Sequence, residues 1–276
     1  MNILHIINEI AGHDGDFFDR IDTRRSLMRS FRDTGKKITF ASFPLLMSGV
    51  FQRAYGKTND TVVEILNYAL TLEHLEAAFY KKANEAASSL IPTEPARGAI
   101  KLIGAHEAAH VKLLEDTIKS MNATPVSAPV FDFTAGGTFP NVFSDYTTFL
   151  AVAQAFEDTG VRAYKGRAGE ITGGGDLLEA ALNIHSVEAR HAAHIRYMRR
   201  NAGHAATLKP WITGKESGIG AAVQPVYDGE ENTKQATLEV VNINGMAISA
   251  AAASEAFDEP LTKQQVLAIV GPFIVS

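Results

Sequence analysis

The first of four long segments with helical periodicity begins at Thr61. Thr61 and Glu64 form a T-x-x-E capping box, a sequence that starts helices. The apolar residues that follow recur every three or four positions, at Ile65, Leu66, Ala69, Leu72 and Phe79. This spacing places them on one face of a helix and predicts that the face is buried.

Three further helices are predicted from the same periodicity and from their end signals. They run from about residue 93 to residue 120, from about residue 144 to residues 165–169, and from Asp176 to residues 201–203. Short connectors make the helices within each pair antiparallel neighbours. The connection between the pairs, residues 122–143, is long enough to cross a bundle. The pattern predicts an all-α four-helix bundle over residues 58–203, built from two helical hairpins and one long crossover.

Both flanks of the predicted bundle lack a motif with assignable chemistry. Residues 1–57 are predicted to form a helical extension, and residues 204–276 an irregular extension that packs on the bundle. Within the latter, Asn244-Gly245 predicts a weak hairpin. Thr262 with Gln265 predicts the start of a short C-terminal helix.

Composition narrows the classes of function. The net charge is −5, so no nucleic-acid partner is expected. The chain has no cysteine, which excludes thiolate metal sites and iron–sulfur clusters. No apolar run reaches the roughly 20 residues that cross a bilayer, so no membrane span is expected. The segment "TRRSLMR", residues 23–29, is similar to a twin-arginine export signal, but the acidic residues before it favour a cytoplasmic location, with periplasmic export as the alternative.

One motif taken alone suggests a zinc protease. His106-Glu107-Ala108-Ala109-His110 reads H-E-x-x-H, in which two histidines hold zinc and the glutamate activates water. In the fourth helix Glu188 and His191 have the same spacing as Glu107 and His110, but Val187 stands where His106 would repeat. What repeats is E-x-x-H, whose two side chains share one helix face. The duplication explains the match better than a protease does.

The other two helices carry a second repeated pair. Glu73 precedes Tyr80 by seven residues in the first helix, and Glu157 precedes Tyr164 by seven in the third. All four repeated glutamates lie near the middle of their helices, where side chains of an antiparallel bundle meet at one level. Four carboxylates in an apolar core need compensating charge, which two divalent cations supply. Oxygen and nitrogen ligands without sulfur suit iron or manganese.

At this point residues 58–203 resemble a ferritin-like domain with a carboxylate-bridged di-iron or di-manganese centre. The segments "FDFTAGGTFP" and "SEAFDEPLTKQQVLAIVGPFI" are similar to the desiccation-related bacterial branch of that superfamily. The resemblance implies two metal ions and six ligands: Glu73, Glu107, His110, Glu157, Glu188 and His191. It also implies that Tyr80 and Tyr164 support these ligands, and it implies no catalytic residue beyond them.

Several neighbouring polar residues have competing interpretations. Glu76 lies one turn after Glu73 and is the alternative ligand on the first helix; otherwise it is solvated or supports the ligands. Asp158 is predicted to face solvent. The histidines beside the ligands are interpreted as surface or packing residues, because sequence neighbours point about 100° apart on a helix. They are His74, His106, His185 and His194, of which His194 has the alternative of a supporting role.

Two functions follow from the resemblance as expectations. The first is a redox centre that reacts with O₂ or H₂O₂, as a ferroxidase or a manganese catalase-like enzyme in a stress response. The second is a non-catalytic, structural metal-binding stress protein. Homo-oligomerisation is left open, but the long flanks do not belong to the cage-forming ferritins, so a storage shell is not expected.

Overall fold

The structure is a computed structural model that describes residues 61–171 and 175–275. The predicted N-terminal extension, residues 1–57, and the twin-arginine-like segment 23–29 lie outside the described residues. No helix in the described ranges is long and apolar enough to cross a membrane.

Four long helices form the body of the fold. They are α1 (Val62–Glu85), α2 (Ala96–Ser120), α3 (Tyr146–Ala168) and α4 (Gly175–Asn201), and a single helical turn, Ala87–Leu90, follows α1. The predicted capping box of Thr61 and Glu64 is present. Asp145 caps α3, one residue after the predicted start, because its carboxylate accepts a hydrogen bond from the backbone N–H of Thr148 at 2.7 Å.

The helices pair as predicted. Helix α1 packs against α2 along its length, and α3 against α4, whereas backbone contacts between the two hairpins are sparse. The wider spacing between hairpins leaves an interior that large side chains must fill. The predicted all-α bundle of two hairpins joined by a crossover is therefore confirmed.

Short elements occupy the crossover and the C-terminal extension. Strand β1 (Val130–Phe131) lies in the crossover. The extension contains β2 (Lys234–Gln235), β3 (Leu238–Glu239), α5 (Ala250–Ser254), α6 (Lys263–Val270) and β4 (Ile274–Val275), with 3₁₀ turns at Ala221–Val226, Ile243–Gly245 and Gly271–Phe273. The capping box of Thr262 and Gln265 starts α6 as predicted.

The prediction of a hairpin at Asn244-Gly245 is wrong. Strands β2 and β3 pair across Ala236 and Thr237, which adopt left-handed backbone angles of φ 48° and 77°. Asn244 is also left-handed, at φ 53°, but it lies inside a 3₁₀ turn. The Asn-Gly pair therefore does form a left-handed turn, but this turn does not connect two paired strands.

The crossover and the end of the chain pack together. Strand β1 pairs antiparallel with β4, with Phe131 opposite Ile274. The ring of Phe273 lies 4.8 Å from that of Phe156 on α3 and 6.1 Å from that of Phe139 in the crossover, measured between centroids. The two segments that carried the resemblance to one branch therefore meet beside α3.

Buried polar contacts fasten the C-terminal extension to α3 and α4. Asp158, predicted to face solvent, is 3% exposed, so that prediction is wrong. It accepts hydrogen bonds from Arg196 on α4 and, at 2.7 Å, from the hydroxyl of Tyr227. Nearby, Nε of Arg162 lies 2.7 Å from Oε1 of Glu230. We call Asp158, Arg162, Arg196, Tyr227 and Glu230 the tail-docking network.

Candidate metal centre

The candidate centre lies halfway along the bundle, between two apolar clusters. The cluster toward one end includes Phe79, Ile103, Phe149 and Ile195, and the cluster toward the other includes Leu70, Leu114 and Ile184. On each helix, the apolar stripe is interrupted at this level by an acidic residue. Because both neighbouring layers are apolar and packed, the polar side chains between them are removed from bulk water.

The structure brings all six predicted ligands together in two overlapping groups. One group is Glu73, Glu107, His110 and Glu188; the other is Glu107, Glu157, Glu188 and His191. Within each group, one potential ligand atom per residue lies within 4.8 Å of the others. The four carboxylates are fully buried, and the histidines are 9% and 4% exposed. Glu107 and Glu188 belong to both groups, which is the placement that bridging carboxylates require.

Both histidines turn the same ring nitrogen toward the carboxylates. Nδ1 of His110 lies 3.2 Å from Glu73 Oε2, 3.1 Å from Glu107 Oε2 and 3.1 Å from Glu188 Oε1. Nδ1 of His191 lies 2.8 Å from Glu107 Oε1 and 3.2 Å from Glu157 Oε2. A ring nitrogen carries at most one proton, so neither histidine can hydrogen-bond all of its carboxylate neighbours.

Several buried atoms at this level have no hydrogen-bond partner among the described residues. They are Glu107 Oε1, Glu157 Oε2, both carboxylate oxygens of Glu188, and His191 Nδ1. Although His191 Nδ1 is close to Glu107 Oε1, the two are not aligned for a hydrogen bond, so their attraction is mainly electrostatic. Buried polar atoms without partners are costly, and here their lone pairs converge on one interior region. This donor set fits metal binding.

Two tyrosines hold Glu73 and Glu157, the carboxylates that belong to only one group each; we call these the terminal carboxylates. Each tyrosine reaches its carboxylate from the opposite hairpin. The hydroxyl of Tyr80 on α1 donates to Oε1 of Glu157 on α3. The hydroxyl of Tyr164 on α3 donates to Oε1 of Glu73 on α1. Each tyrosine thereby fixes one carboxylate oxygen and leaves the other directed toward a histidine.

Burial and mutual repulsion distribute protons unevenly over the cluster. Burial raises the pKa of Glu73 to about 7, and burial together with the charges of Glu107 and Glu73 raises the pKa of Glu188 well above its usual value. Burial acts to raise the pKa of Glu107, but His110 and His191 lower it to about 2. Burial acts to lower the pKa values of both histidines, and the carboxylates raise them to about 12. Without metal, the cluster holds protons that a bound cation must displace.

Comparison with known families agrees with this geometry. The ferritin-like domain family matches residues 61–201, which span α1 to α4. The chain belongs to the ferritin-like domain family. Among curated proteins, none matches the chain significantly. The buried glutamate and histidine groups fit a ferritin-like metal site. The H-E-x-x-H sequence is therefore part of a ferritin-like helix, and the zinc-protease interpretation is not needed to explain it.

Glu76 is a further buried carboxylate of the ferritin-like bundle. It is 3% exposed, so it is not solvated, but it belongs to neither four-residue group. Its Oε1 lies 3.2 Å from the position that a Cβ on Gly160 would occupy, so the missing side chain at Gly160 leaves it room. Burial, followed by the charges of Glu188 and Glu157, raises its pKa well above the usual value. Glu76 therefore lies beside the cluster in surroundings that favour its protonated form.

One residue beside the ferritin-like cluster was interpreted wrongly from the sequence. His106, expected at the surface or in packing, places its Nδ1 2.9 Å from Nε2 of His191. Its neighbour Glu107 points into the bundle, and His106 points across to α4 instead. The sequence did single out His106, because it is the first histidine of H-E-x-x-H and the equivalent position in the second half is Val187.

The other three histidines near the ferritin-like cluster lie outside it. His74 lies 3.3 Å from the backbone oxygen of Val126, and His185 lies 2.9 Å from that of Val161. His194 is exposed, with its ring beside that of Tyr197. These three serve packing or face solvent, as predicted.

Proposed function

We propose that this ferritin-like chain binds two iron or manganese ions in the candidate centre and uses them to react with O₂ or H₂O₂. The observation that carries the proposal is the pair of four-residue groups that share Glu107 and Glu188. Two shared carboxylates, each with two oxygens, suit two adjacent cations. A site for a single ion would not need the second group.

Charge supports two cations rather than none. Six ionisable side chains meet in a layer that apolar residues enclose on both sides. Buried polar atoms without hydrogen-bond partners are costly, so the five such atoms in the described part of the cluster favour a bound group that uses their lone pairs. Two divalent ions neutralise four ionised carboxylates and use the free lone pairs.

Each ion position has its own residues. Glu73 and His110 would hold one ion, Glu157 and His191 would hold the other, and the two shared glutamates could serve both. The bound metals would supply electron transfer to and from oxygen species. The protein positions the terminal carboxylates through Tyr80 and Tyr164 and excludes bulk water with the apolar layers.

The donor count favours reactivity over a purely structural role. Two metals that shared six protein ligands would keep room for water or an oxygen species, whereas structural sites are usually closed. The alternative is a structural centre in a stress protein. Its support is that all four ligand carboxylates are fully buried, which gives a substrate little direct exposure.

The experiment that tests the function measures metal first and reaction second. Protein supplied with Fe²⁺ or Mn²⁺ is expected to bind about two ions per chain by elemental analysis. The iron form, mixed with O₂ or H₂O₂, is expected to oxidise faster than free Fe²⁺ in the same buffer, and the manganese form to release O₂ from peroxide. Less than one bound ion under both conditions contradicts the metal centre.

A matched pair of variants separates the centre from general surface charge. Glu157→Ala removes a fully buried carboxylate of one group, and Glu179→Ala removes an exposed carboxylate on α4. The first variant is expected to lose metal and reaction together, and the second to keep both. Fully metallated wild-type protein that reacts no faster than free metal supports the structural alternative.

A further inference from the structure

His106 and His191 form a side-chain pair across helices α2 and α4. Nδ1 of His106 lies 2.9 Å from Nε2 of His191, and the two ring planes differ by 12°. His106 is partly buried, and His191 is 4% exposed. At this distance the pair shares one N–H···N hydrogen bond, in which one ring supplies the proton and the other the lone pair.

The contacts of His191 decide the direction of this hydrogen bond. Its Nδ1 faces Oε1 of Glu107 and Oε2 of Glu157, at 2.8 and 3.2 Å. If Nδ1 offers its lone pair to a metal ion, the ring proton must sit on Nε2. Nε2 then donates to His106, whose Nδ1 must accept. His106 thereby selects the tautomer of His191 in which Nδ1 is free to bind metal.

The other half of the bundle lacks this arrangement. His106 immediately precedes Glu107, and the equivalent position before Glu188 is Val187, which has no hydrogen-bonding side chain. For His110, every hydrogen bond and ion pair with a described residue runs through Nδ1, so none of these residues holds its Nε2. The two four-residue groups have the same kinds of ligand. They differ in whether a second side chain forms a hydrogen bond with Nε2 of the histidine.

We infer that His106 is a positioning residue for His191, and that it makes the metal position of Glu157 and His191 bind more tightly than that of Glu73 and His110. The inference rests on the proposed function, since it concerns the affinity of the same centre. Loss of a hydrogen-bonding partner behind a metal-binding histidine typically costs 10- to 100-fold in affinity. The centre therefore fills in two separate steps, with the His191 position first.

Two substitutions of the same size test the acceptor. His106→Leu removes it, and His106→Asn restores an acceptor oxygen at the position of the ring Nδ1. Metal-free full-length protein is titrated with Co²⁺, whose visible absorption reports each bound ion. Wild-type protein is expected to show two steps. His106→Leu is expected to weaken the tighter step by about 10- to 100-fold and leave the other unchanged. His106→Asn is expected to recover most of the loss.

The control is His194→Leu, which removes an exposed histidine one turn after His191 and is expected to bind Co²⁺ like the wild type. Melting temperatures of the metal-free variants show whether folding is intact. A second measurement needs no variant: nitrogen-15 NMR of the Zn²⁺-loaded wild type is expected to place the ring proton of His191 on Nε2 and none on Nδ1 of His106.

The outcomes separate the two proposals. Unchanged Co²⁺ affinities in His106→Leu, an Asn variant as weak as the Leu variant, or a proton on Nδ1 of His106 facing His191 would each overturn the positioning role. Wild-type protein that binds no Co²⁺ and no Zn²⁺ overturns the metal centre itself. Two bound ions with the tautomers assigned as above support both.

Discussion

Tyr80 on α1 donates its hydroxyl hydrogen bond to Glu157 on α3, a residue of the opposite hairpin. Tyr164 on α3 makes the reverse contact, to Glu73 on α1. Each of these two carboxylates is therefore oriented by a tyrosine of the other hairpin. Backbone contacts between the hairpins are sparse, so these two hydrogen bonds help to fix the spacing that the centre needs.

The first prediction concerns this support. Tyr80→Phe keeps the ring in the apolar cluster and removes only the hydroxyl, so Glu157 loses its orienting partner. We expect metal affinity at the His191 position to fall by about tenfold, because loss of a hydrogen-bond partner of a metal ligand typically lowers metal affinity by that order of magnitude. Co²⁺ titration measures it. Tyr146→Phe, at a half-buried tyrosine outside the centre, is the control and should bind like the wild type. Equal affinities in all three proteins would contradict the role of Tyr80.

The bundle and the ligand cluster were predictable because both leave periodic signals. Capping boxes and apolar spacing located α1 to α4 to within a few residues, and the duplicated E…Y and E-x-x-H spacings identified side chains that converge. In each case the spacing along one helix decides which face a residue occupies. His106 escaped because its partner, His191, lies on another helix and no repeat marks the pair.

The tail-docking network was not predictable, for a related reason. Asp158 immediately follows Glu157, so its side chain points about 100° away from the centre, toward a face that in an isolated bundle meets solvent. Its partner Tyr227 belongs to an irregular extension with no periodicity. Contacts between a helix face and irregular chain depend on tertiary packing, which local sequence patterns do not encode.

The second prediction concerns pH and the metal-free protein. Burial raises the pKa of Glu73 from 4.5 in the free residue to about 7. Between these values the unfolded chain loses the proton while the folded chain keeps it, so stability falls as pH rises through this window. The contribution of Glu73 is about 3 kcal/mol at most. With metal bound the dependence should reverse, because the ligands must be deprotonated.

Urea unfolding at pH values from 4.5 to 7 tests this slope. Glu73→Gln keeps an acceptor for Tyr164 but cannot ionise, so metal-free Glu73→Gln should lose less stability across the window than the wild type. Glu179→Gln, at an exposed position on α4, should leave the wild-type slope unchanged. A loss in Glu73→Gln as steep as in the wild type, or steeper, would show that Glu73 is already ionised in the metal-free fold.

The third prediction concerns the buried pair of Asp158 and Arg196. The side chains are 4% and 1% exposed, and Asp158→Ala would leave the guanidinium of Arg196 buried without its counter-ion. We expect a loss of about 3–5 kcal/mol in the free energy of unfolding, the usual result of breaking a buried pair from one side. Metal stoichiometry should be kept, since Asp158 is not among the candidate ligands.

The exposed pair of Lys112 and Asp116 on α2 provides the comparison for Asp158. Asp116→Ala should leave the midpoint of urea unfolding unchanged, because solvent screens exposed ion pairs. The two variants remove the same chemical group and differ in burial. If both shift the midpoint equally, the buried pair contributes nothing beyond a surface charge.

The last prediction concerns Gly166, where the backbone of the extension lies directly against α3. The backbone N–H of Leu261 donates to the carbonyl oxygen of Arg162 at 3.1 Å, and a Cβ on Gly166 would lie 2.1 Å from the carbonyl oxygen of Leu261. That atom is backbone and cannot turn aside, so Gly166→Ala should push the extension off α3. We expect lower thermal stability and faster proteolysis within residues 204–275, although alanine itself favours helix. Gly175→Ala is the control, because no atom of a described residue lies within 4 Å of its Cβ position, and it should be neutral or slightly stabilising. Equal proteolysis of both variants and the wild type would mean that the extension does not depend on this contact.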